Sequence, residues 1–191
     1  ALLAAIEGAG AAETSVLAKA MGQRRDEAVA PSLRRLVQSP DAVVRTAAAQ
    51  ALAETGTAQD AERICQVLKR AENDKDRAPI KRALAALGMR LGVPSEFADA
   101  LLRELENEDP AFRGALLDVC GKVPHESLLS AMENAATGGD AEAKDAAIRA
   151  LSETENPGAL PVLLGLLDKT TDLTQRVLIF RGIARLGSNG K

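Results

Sequence analysis

The sequence is poor in aromatic residues. They make up 2% of its 191 positions, as three phenylalanines with no tryptophan and no tyrosine. A core must therefore be built from alanine, leucine, valine and isoleucine, and such small side chains allow helices to pack closely. The lack of tryptophan and tyrosine also removes the usual base-stacking platforms of nucleic-acid binding proteins. This composition favours stacked helices over a sheet sandwich and argues against base recognition.

Histidine and cysteine are equally scarce, with only His125, Cys65 and Cys120 present. A structural zinc site needs four Cys or His ligands, a catalytic zinc site needs three, and a di-iron site needs several His and Glu ligands. Two cysteines are too few for a disulfide framework, and no Gly-x-Ser-x-Gly elbow or phosphate-binding glycine loop occurs. We therefore predict no metal, no cofactor and no catalytic residues, with both cysteines in the core.

The chain also lacks a strong charge and a long apolar run. Its formal net charge is −3 with 27% charged residues, which is typical of an ordinary exposed surface. No apolar run approaches the ~20 residues that a membrane span requires. No signal peptide is visible and the first residue is alanine, so we interpret the sequence as an excerpt of a longer protein. Its compartment stays open on this evidence.

The strongest positive feature is a set of aspartates at near-constant spacing. They are Asp41, Asp76, Asp109, Asp140 and Asp172, separated by 35, 33, 31 and 32 residues. Each precedes an amphipathic stretch rich in Ala and Leu. A base follows four residues later in four cases, as Arg45, Arg113, Lys144 and Arg176. A period in the low thirties with one helix start per period indicates a solenoid of helical hairpins.

We interpret each aspartate as the N-cap of a helix, here called a B helix, and count positions from that cap. Apolar residues then fall at positions 3, 6, 7, 10 and 11, which form one helical stripe, with Gln175 after Asp172 as the one exception. Asp76 fits only with a slip of one residue, and Gly10 takes the cap position in the first repeat. Prolines 79 and 110 are expected in the first turn of their B helices.

An A helix is expected before each B helix, at 1–9, 27–38, 59–72, 95–107, 126–136 and 158–168. The predicted fold is an all-α, right-handed α-solenoid of about six antiparallel helix pairs. We expect a single repeat domain over 1–191, with repeats at about 1–23, 24–56, 57–92, 93–123, 124–154 and 155–191.

The segment 39–56, SPDAVVRTAAAQALAETG, resembles HEAT repeats, most closely the HEAT-like repeats of the phycobilisome lyase type. The resemblance extends over the whole chain and implies a superhelix whose B helices line the concave side, with interaction rather than catalysis as its role. The last repeat is also similar to HEAT segments of large exported bacterial proteins, which would imply an exported or periplasmic location. His125-Glu126 is similar to the His-Glu pairs of the HEAT-like deoxyhypusine hydroxylases, but a single pair cannot hold two irons.

We expect the Asp and Arg ladder to be structural, as helix caps and as Asp–Arg contacts that fix the stacking of repeats. Outside the caps, the B helices carry more bases than acids. This excess predicts a non-catalytic scaffold whose concave face binds another protein or peptide of acidic character. The candidate contact residues are Arg90, Lys122, Arg149, Arg181 and Arg185.

Two other functions are alternatives. One is an accessory or regulatory module of an enzyme, either bilin-lyase-like or attached to an exported oxidoreductase. The other is weak binding to a nucleic-acid backbone through the basic face.

The two ends of the sequence carry apolar residues without a polar capping repeat. These residues are Leu2, Leu3 and Ile6 at the start, and Val177 and Phe180 near the end. We therefore expect that repeats continue in the parent protein, with end-to-end self-association as the alternative.

Overall fold

The computed structural model describes residues 9–107 and 109–188, and within them it contains eleven α-helices, one short 3₁₀ helix and no strand. The B helices are α1 (Ala11–Gln23), α3 (Ala42–Thr55), α5 (Asp74–Arg90), α7 (Pro110–Cys120), α9 (Ala141–Glu153) and α11 (Leu173–Ser188). The A helices are α2 (Ala30–Leu36, preceded by the 3₁₀ helix Glu27–Val29), α4 (Asp60–Lys69), α6 (Ser95–Leu105), α8 (Glu126–Thr137) and α10 (Ala159–Lys169). The first predicted A helix, with Leu2, Leu3 and Ile6, lies outside the described residues except for Ala9.

The chain forms two compact units, residues 1–100 and 101–191. In the first unit, α3 packs between α1 and α5, while the A helices α2 and α4 pack on α3 and α5. In the second unit, α9 packs between α7 and α11, while α8 and α10 pack on α9 and α11. Each unit is thus a stack of helical hairpins, which confirms the predicted all-α solenoid architecture.

Aspartate caps start three of the B helices as predicted. The carboxylates of Asp41, Asp109 and Asp140 each accept hydrogen bonds from the backbone N–H groups two and three residues ahead, at 2.8 to 3.3 Å. Asp172 immediately precedes α11 and accepts a bond of 2.9 Å from the Gln175 N–H. These bonds satisfy N–H groups that have no partner inside the helix.

Helix α5 begins one turn earlier than the Asp76 cap predicts. Its N-cap is Asn73, whose side-chain oxygen accepts from the Asp76 N–H at 3.1 Å, while the Asn73 amide donates to the Asp76 carboxylate at 2.7 Å. This reciprocal pair resembles a capping box, and it gives α5 a better start than the later position. The expected cap at Asp76 is therefore wrong, and Pro79 lies inside the helix rather than in its first turn.

Three pairs of consecutive B helices pack in the same register, with position 12 of one helix against position 10 of the next. The three close pairs are Gly22–Ala51, Gly121–Ala150 and Ser152–Gly182. A Cβ atom added at each of these glycines would lie 2.7 to 2.8 Å from a backbone atom of the partner residue. A glycine on one side of each pair therefore lets the two backbones approach more closely than two side chains would permit.

The core consists mainly of small aliphatic side chains with two buried phenylalanines, Phe97 and Phe112. Cys65 and Cys120 are both fully buried and form no disulfide with each other, which confirms their predicted place in the core. In the A layer, the Arg34 guanidinium of α2 forms two hydrogen bonds of 2.7 and 2.9 Å with the fully buried Asp60 carboxylate of α4. This ion pair joins two neighbouring A helices of the first unit.

Candidate protein-binding surface

Two arginines of the ladder bind the turn that precedes their own B helix. Arg45 donates to the carbonyls of Ser39 and Pro40 at 2.9 and 2.6 Å. Arg176 donates to the carbonyls of Leu167 and Thr170, both at 3.0 Å. These carbonyls lie after or at the end of an A helix, where intrahelical partners run out. The guanidinium at position 4 therefore fixes the turn between the two helices of a repeat.

A third ladder arginine links two repeats. Arg113 of α7 forms an ion pair with Asp140, the carboxylate that caps α9. The pKa of Asp140 is lowered by the hydrogen bond from the Ala143 N–H and by Arg113, although partial burial opposes this change. This contact is the Asp–Arg contact between neighbours that the ladder predicts. Lys144, the remaining base of the ladder, is half-buried.

Arg90 and Arg185, two of the predicted partner contacts, bind the end of the preceding B helix. Arg90 donates to the carbonyls of Ala53, at 2.8 Å, and of Gly56. Arg185 donates in the same way to the carbonyls of Ser152, at 2.8 Å, and of Thr154. In both units a guanidinium thus satisfies carbonyls at a helix C-terminus. Arg90 and Arg185 thus hold neighbouring B helices together, a structural role that the sequence does not predict.

The other predicted contacts are exposed side chains of the second unit. Lys122, Arg149 and Arg181 are all exposed, and none is ion-paired with another residue of the part of the chain that the structure describes. Arg149 and Arg181 both occupy position 9, counted from Asp140 and Asp172. Lys19, which the sequence prediction missed, is exposed at position 9 of α1 when Gly10 is taken as the cap. The sequence analysis takes Gly10 as the cap of the first repeat, and position 9 counted from that cap is the signal that identifies Lys19.

The first unit contains a groove of about 340 Å³ between the N-terminal halves of α3 and α5 and the C-terminal end of α4. Its aliphatic lining residues, called here its floor, include Val43, which is 60% exposed, together with Pro79 and Ile80. Its charged lining consists of four bases, Lys19, Arg45, Arg70 and Lys75, and two acids, Glu72 and Asp76. The groove is therefore both apolar at its base and net positive at its walls.

The second unit contains a groove of about 370 Å³ at the corresponding junction between repeats, lined by α7, the ends of α6 and α8, and the start of α9. Its lining is mainly apolar and includes Leu102, Leu105 and Leu117. Here the position 4 arginine, Arg113, is neutralised by the cap Asp140 of the next repeat. This groove thus combines an aliphatic wall with a paired charge.

The early start of α5 explains why the first groove keeps its positive charge. When the cap position of α5 is counted back from its apolar stripe, it falls on Arg77, where the other repeats have an aspartate. The residue that actually caps α5 is Asn73, which is neutral. Arg45 has no cap carboxylate to pair with there and instead donates to carbonyls of its own repeat. A backbone carbonyl carries no net charge, so the positive charge of Arg45 is not cancelled by this contact.

The family model for HEAT repeats matches residues 1–88 and 98–179. The chain belongs to the HEAT-repeat family. No protein matched in the comparison with curated proteins.

Three solved structures are similar to this HEAT chain. Human deoxyhypusine hydroxylase has a TM-score of 0.49 at 17% identity, with 98% of this chain and 83% of that chain covered. The complex of CpcE and CpcF of phycocyanin lyase from Nostoc sp. PCC7120 has a TM-score of 0.45 at 18% identity, covering 97% and 80%. The archaeal HEAT-like repeats protein from Thermococcus onnurineus NA1 has a TM-score of 0.45 at 18% identity, covering 94% and 81%.

His125 lies at a helix start. It immediately precedes α8, and its Nδ1 atom lies 3.3 Å from the Ser127 backbone nitrogen and 2.8 Å from the Ser127 hydroxyl oxygen.

Within 9–107 and 109–188, no three His, Cys, Asp or Glu side chains are grouped so that they could hold a metal ion. None of the helices described is both long enough and apolar enough to span a bilayer.

Proposed function

We propose that this HEAT module is a non-catalytic scaffold that binds another protein through the solvent face of its B helices. The observation that carries this proposal is the repetition of exposed bases at one repeat position. Lys19, Arg149 and Arg181 all stand at position 9 and are all exposed. Arg149 and Arg181 lie on the neighbouring helices α9 and α11 of the second unit, and two exposed bases at one repeat position suit a partner that contacts both helices.

The energetics of such a surface favour an acidic partner. A base that is not ion-paired gains Coulomb energy from an incoming carboxylate without first losing an existing partner. Charge complementarity raises association rates and selects against basic partners. Arginine is in addition one of the residues most often found at interface hot spots. We therefore expect a partner rich in Asp and Glu at the contact.

Selection from a displayed random-peptide library tests this function on the full chain. The test variant reverses the charge at position 9 in all three places, as Lys19→Glu, Arg149→Glu and Arg181→Glu. The matched control reverses three bases of the A helices, as Arg35→Glu, Lys69→Glu and Lys169→Glu. We expect the wild-type chain to enrich acidic peptides, the test variant to bind that pool about tenfold more weakly, and the control to bind it unchanged.

Two outcomes of this selection would contradict the proposal. The wild-type chain would enrich no peptide, or the two triple variants would bind the enriched pool equally well. The alternatives named from the sequence have their own arms. A bilin-lyase-like module would induce an absorbance band in added bilin, and a binder of nucleic-acid backbone would shift DNA in a gel with a steep dependence on salt.

A further inference from the structure

We infer that the groove of the first unit is the docking site for an acidic peptide segment that carries one aliphatic side chain. The inference rests on the proposed scaffold function. It adds the location of a binding site and the chemical class of the partner. The groove lies between α3, α4 and α5, beside the position 9 base Lys19. It is distinct from the five contact residues predicted from the sequence.

The charge of the groove selects the sign of the ligand. Four bases face two acids among the lining residues. One of these acids, Asp76, accepts a hydrogen bond of 2.7 Å from the neutral Asn73 amide and keeps its charge, so the lining has a net charge of +2. Arg70 and Lys75 are exposed at opposite ends of the turn that joins α4 to α5. Carboxylates of a bound segment would be attracted to both.

The floor of the groove selects an apolar group between those carboxylates. Val43 is 60% exposed on it, while Ile80, Val67 and Ala47 form its buried base. The volume of about 340 Å³ is at the small end of the range for ligand sites. That space suits a side chain such as leucine better than an extended stretch of chain. Covering Val43 would remove apolar surface from water and add to the affinity.

The same features disfavour a nucleic acid as the occupant. Single-stranded nucleic acids are held by aromatic stacking in addition to phosphate contacts, and the groove lining contains no aromatic residue. An aliphatic floor offers little to a sugar or phosphate and more to a leucine. A peptide that combines acids with one aliphatic residue therefore fits the groove better than a polyanion does.

The test uses the full chain and a fluorescent hexapeptide in which Asp and Glu flank a central leucine. The groove variant is Arg70→Glu with Lys75→Glu, and its matched control is Lys69→Glu with Arg24→Glu, two exposed bases of the same unit that do not line the groove. We expect fluorescence anisotropy to report binding about tenfold weaker for the groove variant and unchanged for the control. Binding should also weaken as salt screens the exposed charges.

Two further arms address the apolar contact and the ligand class. A hexapeptide with serine in place of leucine should bind several-fold more weakly to the wild-type chain, and Val43→Ser should remove that difference between the peptides. A single-stranded DNA oligonucleotide of equal charge should bind more weakly than the leucine peptide. Equal or tighter binding of the DNA would overturn the assignment of a peptide.

The inference and the proposed function fail separately. Because Lys19 lines the groove, the comparison uses the double variant Arg149→Glu with Arg181→Glu for the B-helix surface. If the groove variant binds the leucine peptide as the wild type does while this double variant loses the selected pool, the groove assignment is wrong and the scaffold function stands. If the groove variant loses the peptide while the double variant and the A-helix variant bind the pool equally, the groove is the site and the wider B-helix surface is not.

Discussion

At the scale of single residues, the Asp60 carboxylate is the centre of the contact between the A helices α2 and α4. Burial alone would raise its pKa, but the hydrogen bonds from Arg34 and from the Thr57 N–H outweigh burial and lower it from the ordinary value of 3.8. Arg63 lies 3.4 Å from the same carboxylate. An ionised Asp60 is therefore a stabilising feature of the fold, provided that Arg34 is present.

We expect Asp60→Asn to lower the free energy of unfolding by about 2 kcal/mol at pH 7, because it leaves the Arg34 guanidinium without its counter-ion. The folded pKa is depressed, so the wild-type advantage is complete above about pH 4 and is lost as the pH falls through the folded value. Urea unfolding of both proteins at pH 7 and pH 3 measures this difference.

The exposed Asp99→Asn serves as the control for the Asp60 experiment and should leave stability unchanged at both pH values. A difference between wild type and Asp60→Asn that is as large at pH 3 as at pH 7 would contradict the account. So would a variant whose stability equals that of the wild type throughout.

The buried thiol of Cys120 gives a second prediction at this scale. Burial raises its pKa to about 12, against a small opposing effect of a backbone hydrogen bond. The thiolate is the reactive form, so the native chain should resist alkylation at pH 8. In a Cys65→Ala background, iodoacetamide should label Cys120 quickly in urea and very slowly in native buffer. Equal rates in the two conditions would show that this thiol is not buried.

At the scale of helices, close packing of consecutive B helices depends on glycine. A Cβ at Gly182 would lie 2.8 Å from the Ser152 Cα and 2.9 Å from the Leu163 Cδ1 atom. We expect Gly182→Ala to cost about 1–3 kcal/mol of unfolding free energy by overpacking. Gly165, inside α10, has open space around it. Gly165→Ala should therefore stabilise the chain by about 0.5–1 kcal/mol.

Thermal unfolding of the two alanine variants compares them directly in the same unit. The account requires a lower Tm for Gly182→Ala and an equal or higher Tm for Gly165→Ala. If Gly182→Ala raised the Tm as Gly165→Ala is expected to do, the close approach of α9 and α11 would not exist.

Helix positions were predicted well where a local signal marks the start. Asp41, Asp109 and Asp140 identify their helices because the N-cap bond forms within three residues of chain. The start of α5 lies one turn before Asp76 because Asn73-x-x-Asp76 acts as a variant of the capping box, with Asn and Asp in place of the usual Ser or Thr and Glu or Gln. The capping pair was nevertheless readable from the sequence, since it involves only residues three apart.

At the scale of the whole molecule, the repeat period predicts which helices are neighbours but not where their side chains meet. The pairing of Arg34 with Asp60 joins residues 26 apart in different repeats. The contacts of Arg90 with Ala53 and Gly56 span 37 and 34 residues. Such contacts depend on the exact stagger of stacked helices, which the period alone does not define. Arg90 was for this reason assigned to partner binding and not to packing.

The groove of the first unit was missed for a related reason. It needs the end of one A helix, the starts of two B helices and the extra turn of α5 to be combined. Net charge along the B helices pointed to an acidic partner, which the groove also favours. The location could be found only after the junction between repeats was known.

The central claim is that a partner binds at the groove between α3, α4 and α5 of the first unit. Hydrogen exchange of the full chain, with and without the leucine-containing acidic hexapeptide, tests it most directly. The account predicts slower exchange in residues 42–50 and 70–80 and unchanged exchange in the A helix α8. Protection confined to A helices, or no change anywhere at a saturating peptide concentration, would contradict it.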